Sequence, residues 1–266
     1  MNEELRKKCD RLREMINSLH KVAVAFSGGT DSALLLKVCV DTLEPANVLA
    51  LTSSSSIHPA SETKDALSLA QKMGARLILF DPEELEDATF LANTRDRCYY
   101  CKALLFRVMW AIAGEDGYEC IVEGSNVDDL EDFRPGRRAC LETGVKSPLL
   151  EAGFTKEDVR LLSREMGLAT HDKPAQACLA TRIPYSTVIT REKLSMIEKS
   201  EECIKAYGIK QVRVRLDGNS GRIEVEEGDI PLILENRDMI ADHLSRLGFM
   251  YVSLDLKGYR TGSMNE

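Results

Sequence analysis

The chain has 266 residues, 44% of them hydrophobic and 29% charged, the balance of an ordinary globular protein with room for one large domain and a smaller one. Its formal charge of -8, from 43 acidic against 35 basic residues, argues against a broad grip on a nucleic-acid backbone and leaves only a local basic pocket for an anion. The first residues, MNEELRKKCDRLREMI, read as a charged helix rather than a secretory leader, and no apolar run reaches the roughly 18 residues of a membrane span, so a cytoplasmic chain with reduced thiols and no membrane partner is expected.

Leu5, Leu12, Met15 and Ile16 predict a helix from Glu3 to Leu19. Lys21 to Phe26 reads as a buried strand, Ser32 to Leu43 as a helix, Val48 to Thr52 as a strand, Ser61 to Met73 as a helix and Arg76 to Phe80 as a strand. A helix from Cys101 to Ala113 and a strand from Cys120 to Glu123 continue the alternation. Near-continuous apolar strands separated by helices predict an α/β fold with a doubly wound parallel sheet.

Past Thr155 the pattern changes. Lys156 to Met166 reads as a helix, and Lys173 to Ser186, with Pro174 and Pro184, as a loop. A helix from Glu192 to Tyr207 is followed by strands at Gln211 to Leu216 and Arg222 to Glu226, a helix from Pro231 to Leu247 and a strand from Tyr251 to Leu256. These predict a smaller C-terminal α+β domain over 187–266, after a nucleotide-type domain over 1–186.

The first strand runs directly into Ser27-Gly28-Gly29-Thr30-Asp31-Ser32 and then into a helix. Paired glycines let successive N–H groups turn around an anion, and the following helix adds the positive end of its dipole. Ser27, Thr30 and Ser32 offer hydroxyl donors, while Asp31 is suited to holding a Mg²⁺ that bridges phosphates. The loop lacks the Gly-Lys-Ser/Thr ending of a Walker motif, and Lys37 lies too far along the helix to supply that lysine. The plainer reading is a capped strand-to-helix turn.

Cys98-Tyr-Tyr-Cys101 could be a redox pair or half a zinc site, but neither a second C-x-x-C nor a close His pair is present to complete zinc coordination. Together with Cys178, three thiolates suit a [4Fe–4S] cluster with one iron open to hold sulfide. Cys178 sits between Lys173 and Arg182, whose charge favours a thiolate. Cys9, Cys39, Cys120, Cys140 and Cys203 fit as small apolar residues. Arg213 and Arg215 alternate along one strand, so they share a face; their guanidinium forks suit a phosphate, and a solvated strand face is the alternative.

Ser27 to Ser32 resembles the SGGxDS pyrophosphatase loop, or PP-loop, of ATP-dependent adenylating enzymes such as GMP, NAD and asparagine synthetases and tRNA thiolases. Gly124-Ser-Asn-Val-Asp-Asp-Leu-Glu-Asp-Phe-Arg-Pro-Gly136, Ser147-Pro-Leu149, Asp172-Lys-Pro174, Ala177-Cys-Leu-Ala-Thr-Arg-Ile-Pro184 and Val212-Arg-Val-Arg215 extend the likeness over nearly the whole chain. They resemble the LarE family of ATP-dependent sulfur transferases, which build the nickel-pincer nucleotide of lactate racemase.

That resemblance implies MgATP held by the loop and Gly124, and adenylation of the carboxylates of pyridinium-3,5-biscarboxylic acid mononucleotide followed by their conversion to thiocarboxylates. It implies a substrate phosphate on Arg182, Arg213 and Arg215, and places Asp128, Asp129 and Glu201 near the site without defined roles. One branch of the family sacrifices the sulfur of the cysteine matching Cys178. The other adds two cysteines and binds a [4Fe–4S] cluster that carries sulfur from inorganic sulfide or another donor, and the trio Cys98, Cys101 and Cys178 resembles that branch. Thr181 departs from the expected Ser but keeps the hydroxyl. Tyr99 and Tyr100 could stack on the pyridinium ring or pack around the cluster. The family also suggests a homo-oligomer such as a hexamer. Two other readings are a tRNA-thiolating enzyme, which would want a basic surface, and a non-catalytic nucleotide- or metal-binding module such as a zinc sensor.

Overall fold

A computed structural model describes residues 2–130, 135–174 and 177–260. The chain divides into two compact units: Met1–Glu84 with Asp96–Gln176, and Leu85–Arg95 with Ala177–Glu266.

The first unit runs α1 (Glu3–Leu19), β1 (Val22–Ala25), α2 (Thr30–Thr42), β2 (Val48–Ser53), α3 (Ala60–Lys72) and β3 (Arg76–Phe80). After α4 (Ala88–Leu91), which belongs to the second unit, it resumes with α5 (Arg97–Glu115), β4 (Ile121–Val122), α6 (Gly136–Thr143), α7 (Pro148–Glu151) and α8 (Lys156–Glu165). All four strands are parallel, in the order β3-β2-β1-β4. Alternation along the strands feeds two cores. Val22, Val24, Val48 and Ala50 join Leu5, Leu12 and Ile16 of α1, Leu34 and Leu35 of α2 and Val159 and Leu162 of α8. Ala23, Leu49, Leu51 and Ile121 join Phe106, Met109 and Ala113 of α5 and Ala139 of α6. Each fully buried Leu or Phe stabilises by about 1.5–3 kcal/mol, so both faces of the sheet are committed to helices.

Because the chain builds β2 and β3 outward on one side of β1 and places β4 on the other, the strand order reverses between β1 and β4. A crevice opens at such a switch point, outside the carboxyl ends of the strands. The segments leaving β1 and β4 there are Ser27–Ser32 and Glu123–Asn126.

The helix expected to begin at Cys101 begins at Arg97, so Cys98 lies in the first turn of α5 and Cys101 one turn further on. Aromatic residues are indifferent helix formers, and packing of α5 against α6 overrides that weak preference.

The second unit contains α9 (Arg191–Lys205), β5 (Val212–Asp217), β6 (Ser220–Val225), α10 (Ile230–Glu235), α11 (Arg237–Leu247) and β7 (Tyr251–Leu254). β5 and β6 form an antiparallel hairpin, and β7 returns parallel to β6 after the two helices. The single helix expected over 231–247 is interrupted at Asn236, whose Nδ2 donates to the Leu232 carbonyl at 2.9 Å. This unit begins at Ala177, ahead of the expected boundary at 186/187, and also takes in 85–95. The reason is Asn93, whose amide donates to the carbonyls of Ile183 (3.2 Å), Pro184 (2.8 Å) and Thr187 (3.0 Å).

Candidate functional site

Gly28 has φ +71°, and a Cβ there would meet the Cβ of Ala66 on α3 at 3.0 Å, so conformation and crowding both require glycine. Gly29 caps α2 with extended backbone and no side-chain cap, which leaves the first N–H groups of the helix to an outside acceptor. The loop's hydroxyls brace one another: Ser27 Oγ and Ser32 Oγ are 3.1 Å apart, and Ser32 Oγ donates to the Gly29 carbonyl at 3.2 Å. Thr30 Oγ1 donates to the Thr170 carbonyl at 2.8 Å and is buried, so this hydroxyl anchors the loop. Lys173 Nζ lies 3.5 Å from both the Gly28 carbonyl and Asp65 Oδ2, which sets its charge beside the loop.

Gly124 forms the facing wall. A Cβ there would come within 3.0 Å of the Ser32 amide nitrogen and 3.2 Å of the Asp31 Cβ. The residues after it hold Asp31. Asn126 Nδ2 donates to Asp31 Oδ1 at 3.0 Å, the Asn126 amide donates to Asp129 Oδ2 at 3.0 Å, and the Asp128 amide donates to Asn126 Oδ1 at 3.0 Å. The second oxygen of Asp31, Oδ2, takes the ammonium of Lys156. Asp128 Oδ2 accepts from the Lys156 main-chain N–H at 2.6 Å. Asp128 and Asp129 therefore serve the geometry of Asp31. Glu131 to Arg134 of that motif, and Ala175 and Gln176 of the Cys178 segment, lie outside the described residues.

A partly buried carboxylate in the first turn of a helix, beside a phosphate-type loop, is a chemically apt ligand for Mg²⁺. Asn126 and Lys156 carry no recognisable motif beyond the family segment and a helix start, and sequence reasoning passed over both.

Cys98 is exposed and Cys101 half-buried. Tyr99, between them, is clamped to α6: the Arg138 guanidinium lies 3.7 Å from its ring centroid and its hydroxyl donates to Glu142 Oε2 at 2.6 Å. One face of that ring is therefore engaged by the protein's own arginine. Burial raises the thiols of Cys9, Cys39, Cys120, Cys140 and Cys203, in keeping with their reading as apolar residues. Two thiols three residues apart on one helix suit half of a cluster's ligand set. Among the described residues, no group of three or more His, Cys, Asp or Glu is placed to hold a metal ion.

In the second unit Cys178 is half-buried at the start of a short 3₁₀ turn, Leu179–Arg182. Its carbonyl accepts from the Thr181 amide (3.0 Å), Thr181 Oγ1 (2.7 Å) and Arg182 Nη1 (2.9 Å). The hydroxyl kept at Thr181 thus fixes the cysteine's backbone. Arg182 is fully buried and forms a forked pair with Glu201, Nε to Oε1 at 2.8 Å and Nη2 to Oε2 at 3.0 Å, while its Nη1 also reaches the Ala177 carbonyl at 2.6 Å. Arg182 thus braces the Cys178 turn, and Glu201, which also accepts from the Val214 amide at 3.0 Å, ties the turn to α9 and β5.

Arg213 and Arg215 do share a face of β5, but it is buried rather than solvated. Arg215 Nε donates to Glu224 Oε2 at 3.0 Å and Nη1 to the Thr181 carbonyl at 2.9 Å; Arg213 lies opposite Glu224 in register, with Tyr259 5.4 Å from its guanidinium. Burial, and then the Arg182 charge, push the Arg213 pKa below its ordinary value. Three guanidiniums, Arg182, Arg213 and Arg215, thus share this buried region with two carboxylates, Glu201 and Glu224. Guanidinium forks of this kind suit a phosphate.

No helix among the described residues is long and apolar enough to cross a membrane. A family profile for NAD synthase matches residues 4–98, which span the phosphate loop. A Synechocystis protein described as uncharacterized is 38% identical over 98% of both chains. An uncharacterized protein of Methanocaldococcus jannaschii is 29% identical over 91% of both chains. A Lactiplantibacillus plantarum protein named pyridinium-3,5-bisthiocarboxylic acid mononucleotide synthase is 37% identical, covering 94% of this chain and 91% of its own. With that identity sustained across both units, the chain belongs to the pyridinium-3,5-bisthiocarboxylic acid mononucleotide synthase family, the LarE family whose motifs it carries.

Proposed function

We propose that this chain is an ATP-dependent sulfur transferase that adenylates the carboxylates of pyridinium-3,5-biscarboxylic acid mononucleotide and converts them to thiocarboxylates. The observation that carries the reading is the glycine loop at the β1/β4 switch point with Asp31 beside it, in a chain 37% identical to a named synthase of the product. The N–H groups at the start of α2, with the Ser27 and Ser32 hydroxyls, hold the phosphates, while Thr30 anchors the loop, and Asp31 is the residue that would hold Mg²⁺, which offsets phosphate charge when bound. A substrate carboxylate oxygen attacks the α-phosphorus and pyrophosphate leaves. A sulfur nucleophile then adds at the acyl carbon, and AMP departs with the original carboxylate oxygen.

Arg213 and Arg215, which share one face of β5, bind the substrate phosphate through their guanidinium forks, and Arg182 sets the backbone of Cys178. The sulfur chemistry falls to Cys178. The presence of Cys98 and Cys101 in the sequence favours a bound [4Fe–4S] cluster, which would supply a transferable sulfide, over sacrifice of the Cys178 sulfur. A cytoplasmic homo-oligomer using a small-molecule sulfide donor completes the reading.

The test is incubation with MgATP, the biscarboxylate nucleotide and sulfide under anaerobic conditions. Stoichiometric pyrophosphate and AMP, with sulfur-for-oxygen exchange in the product by mass spectrometry, are expected. Pyrophosphate release that ignores the nucleotide substrate overturns the assignment.

A further inference from the structure

Asp31, the residue best placed for a divalent cation, already has a cation. Its Oδ2 takes the Lys156 ammonium and its Oδ1 accepts from Asn126. The lysine is not a stray surface group. Its main-chain N–H is bound by Asp128 Oδ2 at 2.6 Å, and it is the first residue of α8, behind the Thr155 cap, whose Oγ1 accepts from the Asp158 amide at 3.2 Å while Asp158 Oδ2 accepts from the Thr155 amide at 3.0 Å. The backbone of Lys156 is thereby fixed while its four-carbon stem can swing. Its side chain is 32% exposed, and that of Asp31 25%, so water can receive the displaced ammonium.

We propose that Lys156 is the resident counter-ion of Asp31 and that Mg²⁺ reaches this carboxylate only by displacing it, so the metal enters with the nucleotide rather than ahead of it. This rests on the MgATP reading of the loop. A bare Mg²⁺ at Asp31 would crowd a divalent ion and an ammonium around one carboxylate, and like charges at that distance repel strongly in a partly buried site. The MgATP complex is still anionic, so its phosphates balance both cations at once. The acidic Asp31 is thus kept paired when no nucleotide is present.

The proposal is tested by titrating Mn²⁺, read from the free-ion electron paramagnetic resonance signal, against the full-length protein with and without α,β-methylene ATP. After subtraction of the Mn²⁺ held by the analogue itself, wild type should bind Mn²⁺ weakly alone and about tenfold or more tightly with the nucleotide analogue. Lys156→Gln should bind Mn²⁺ alone about tenfold more tightly than wild type and gain less from the nucleotide. Lys156→Met keeps the stem without the charge and should match it, so folding failure of one variant leaves the other. Adding Asp31→Asn to either variant should remove the gain. Unchanged or weaker Mn²⁺ affinity in both lysine variants overturns the proposal, as does a gain that survives Asp31→Asn. Pyrophosphate release by wild type is measured separately, and its absence would sink the sulfur-transferase reading while leaving the metal titration to stand alone.

Discussion

Arg182 and Glu201 meet side-on in a buried two-point contact, Nε to Oε1 at 2.8 Å and Nη2 to Oε2 at 3.0 Å. The same guanidinium holds the carbonyls of Ala177 and Cys178, so one buried ion pair sets where the Cys178 sulfur starts. Removing one partner strands a charge in the interior. Glu201→Gln and Arg182→Met should each lower stability by about 3–5 kcal/mol, and the double replacement by less than their sum. Urea unfolding measures this.

Gly28→Ala should strain a left-handed backbone by about 1–2 kcal/mol and press a methyl against Ala66. Weaker ATP binding by calorimetry, with the melting temperature changed by only a few degrees, is the expected outcome. Gly124→Ala intrudes on the Ser32 amide nitrogen from the facing wall and should weaken ATP binding too.

The two arginines of β5 should separate substrate from nucleotide. Arg213→Lys keeps charge but loses the fork, and should raise KM for the pyridinium mononucleotide about tenfold with ATP affinity unchanged. An equal loss of ATP binding would move Arg213 out of the substrate phosphate role.

Anaerobic reconstitution should leave iron on the wild-type protein, and Cys98→Ala should lose it by metal analysis and by its visible absorption. If wild type holds no iron and Cys178 loses the mass of hydrogen sulfide after turnover, the sacrificial route is the operating one.

The Lys8 to Asp158 pair gives a pH signature. Burial opposes ionisation of Asp158, but hydrogen bonds from Lys8 and Thr155 outweigh it and depress the carboxyl. The hydrogen bond to Asp158 raises Lys8. A depressed acid stabilises above its unfolded pKa and loses that contribution as pH falls through the folded value; a raised base stabilises below its unfolded pKa and loses it as pH rises through the folded value. Asp158→Asn should therefore narrow the gap to wild type below about pH 4 and above about pH 10, measured by thermal melts across pH.

The phosphate loop was readable because glycine at a left-handed position is a local demand that the chain states outright. The bounds of α1 were equally plain, since its buried stripe repeats at helical spacing. Lys156 was not readable: a lysine opening a helix is ordinary, and only folding brings it to Asp31 across more than half of the first unit's sequence. That Arg213 and Arg215 share a buried face was not readable, because the acids near them, Glu224 and Glu201, lie on another strand and on a helix. The 85–95 segment was hidden for a similar reason. Asn93 draws its partners from 183–187, and nothing in its neighbourhood along the chain announces them.

Since the second unit is assembled from two stretches with about half of the first unit threaded between them, a gene cut after residue 176 does not release a tidy half. The shortened product would carry the 85–95 strip with the Asn93 amide facing no acceptor from 183–187, and the remainder would lack that strip. Ribosomal synthesis meets the same constraint: residues 85–95 emerge early and must wait for the late-made turn around Pro184 before their hydrogen bonds can close. Deletion mapping of activities to halves of this protein should therefore use fragments that return 85–95 to the C-terminal piece.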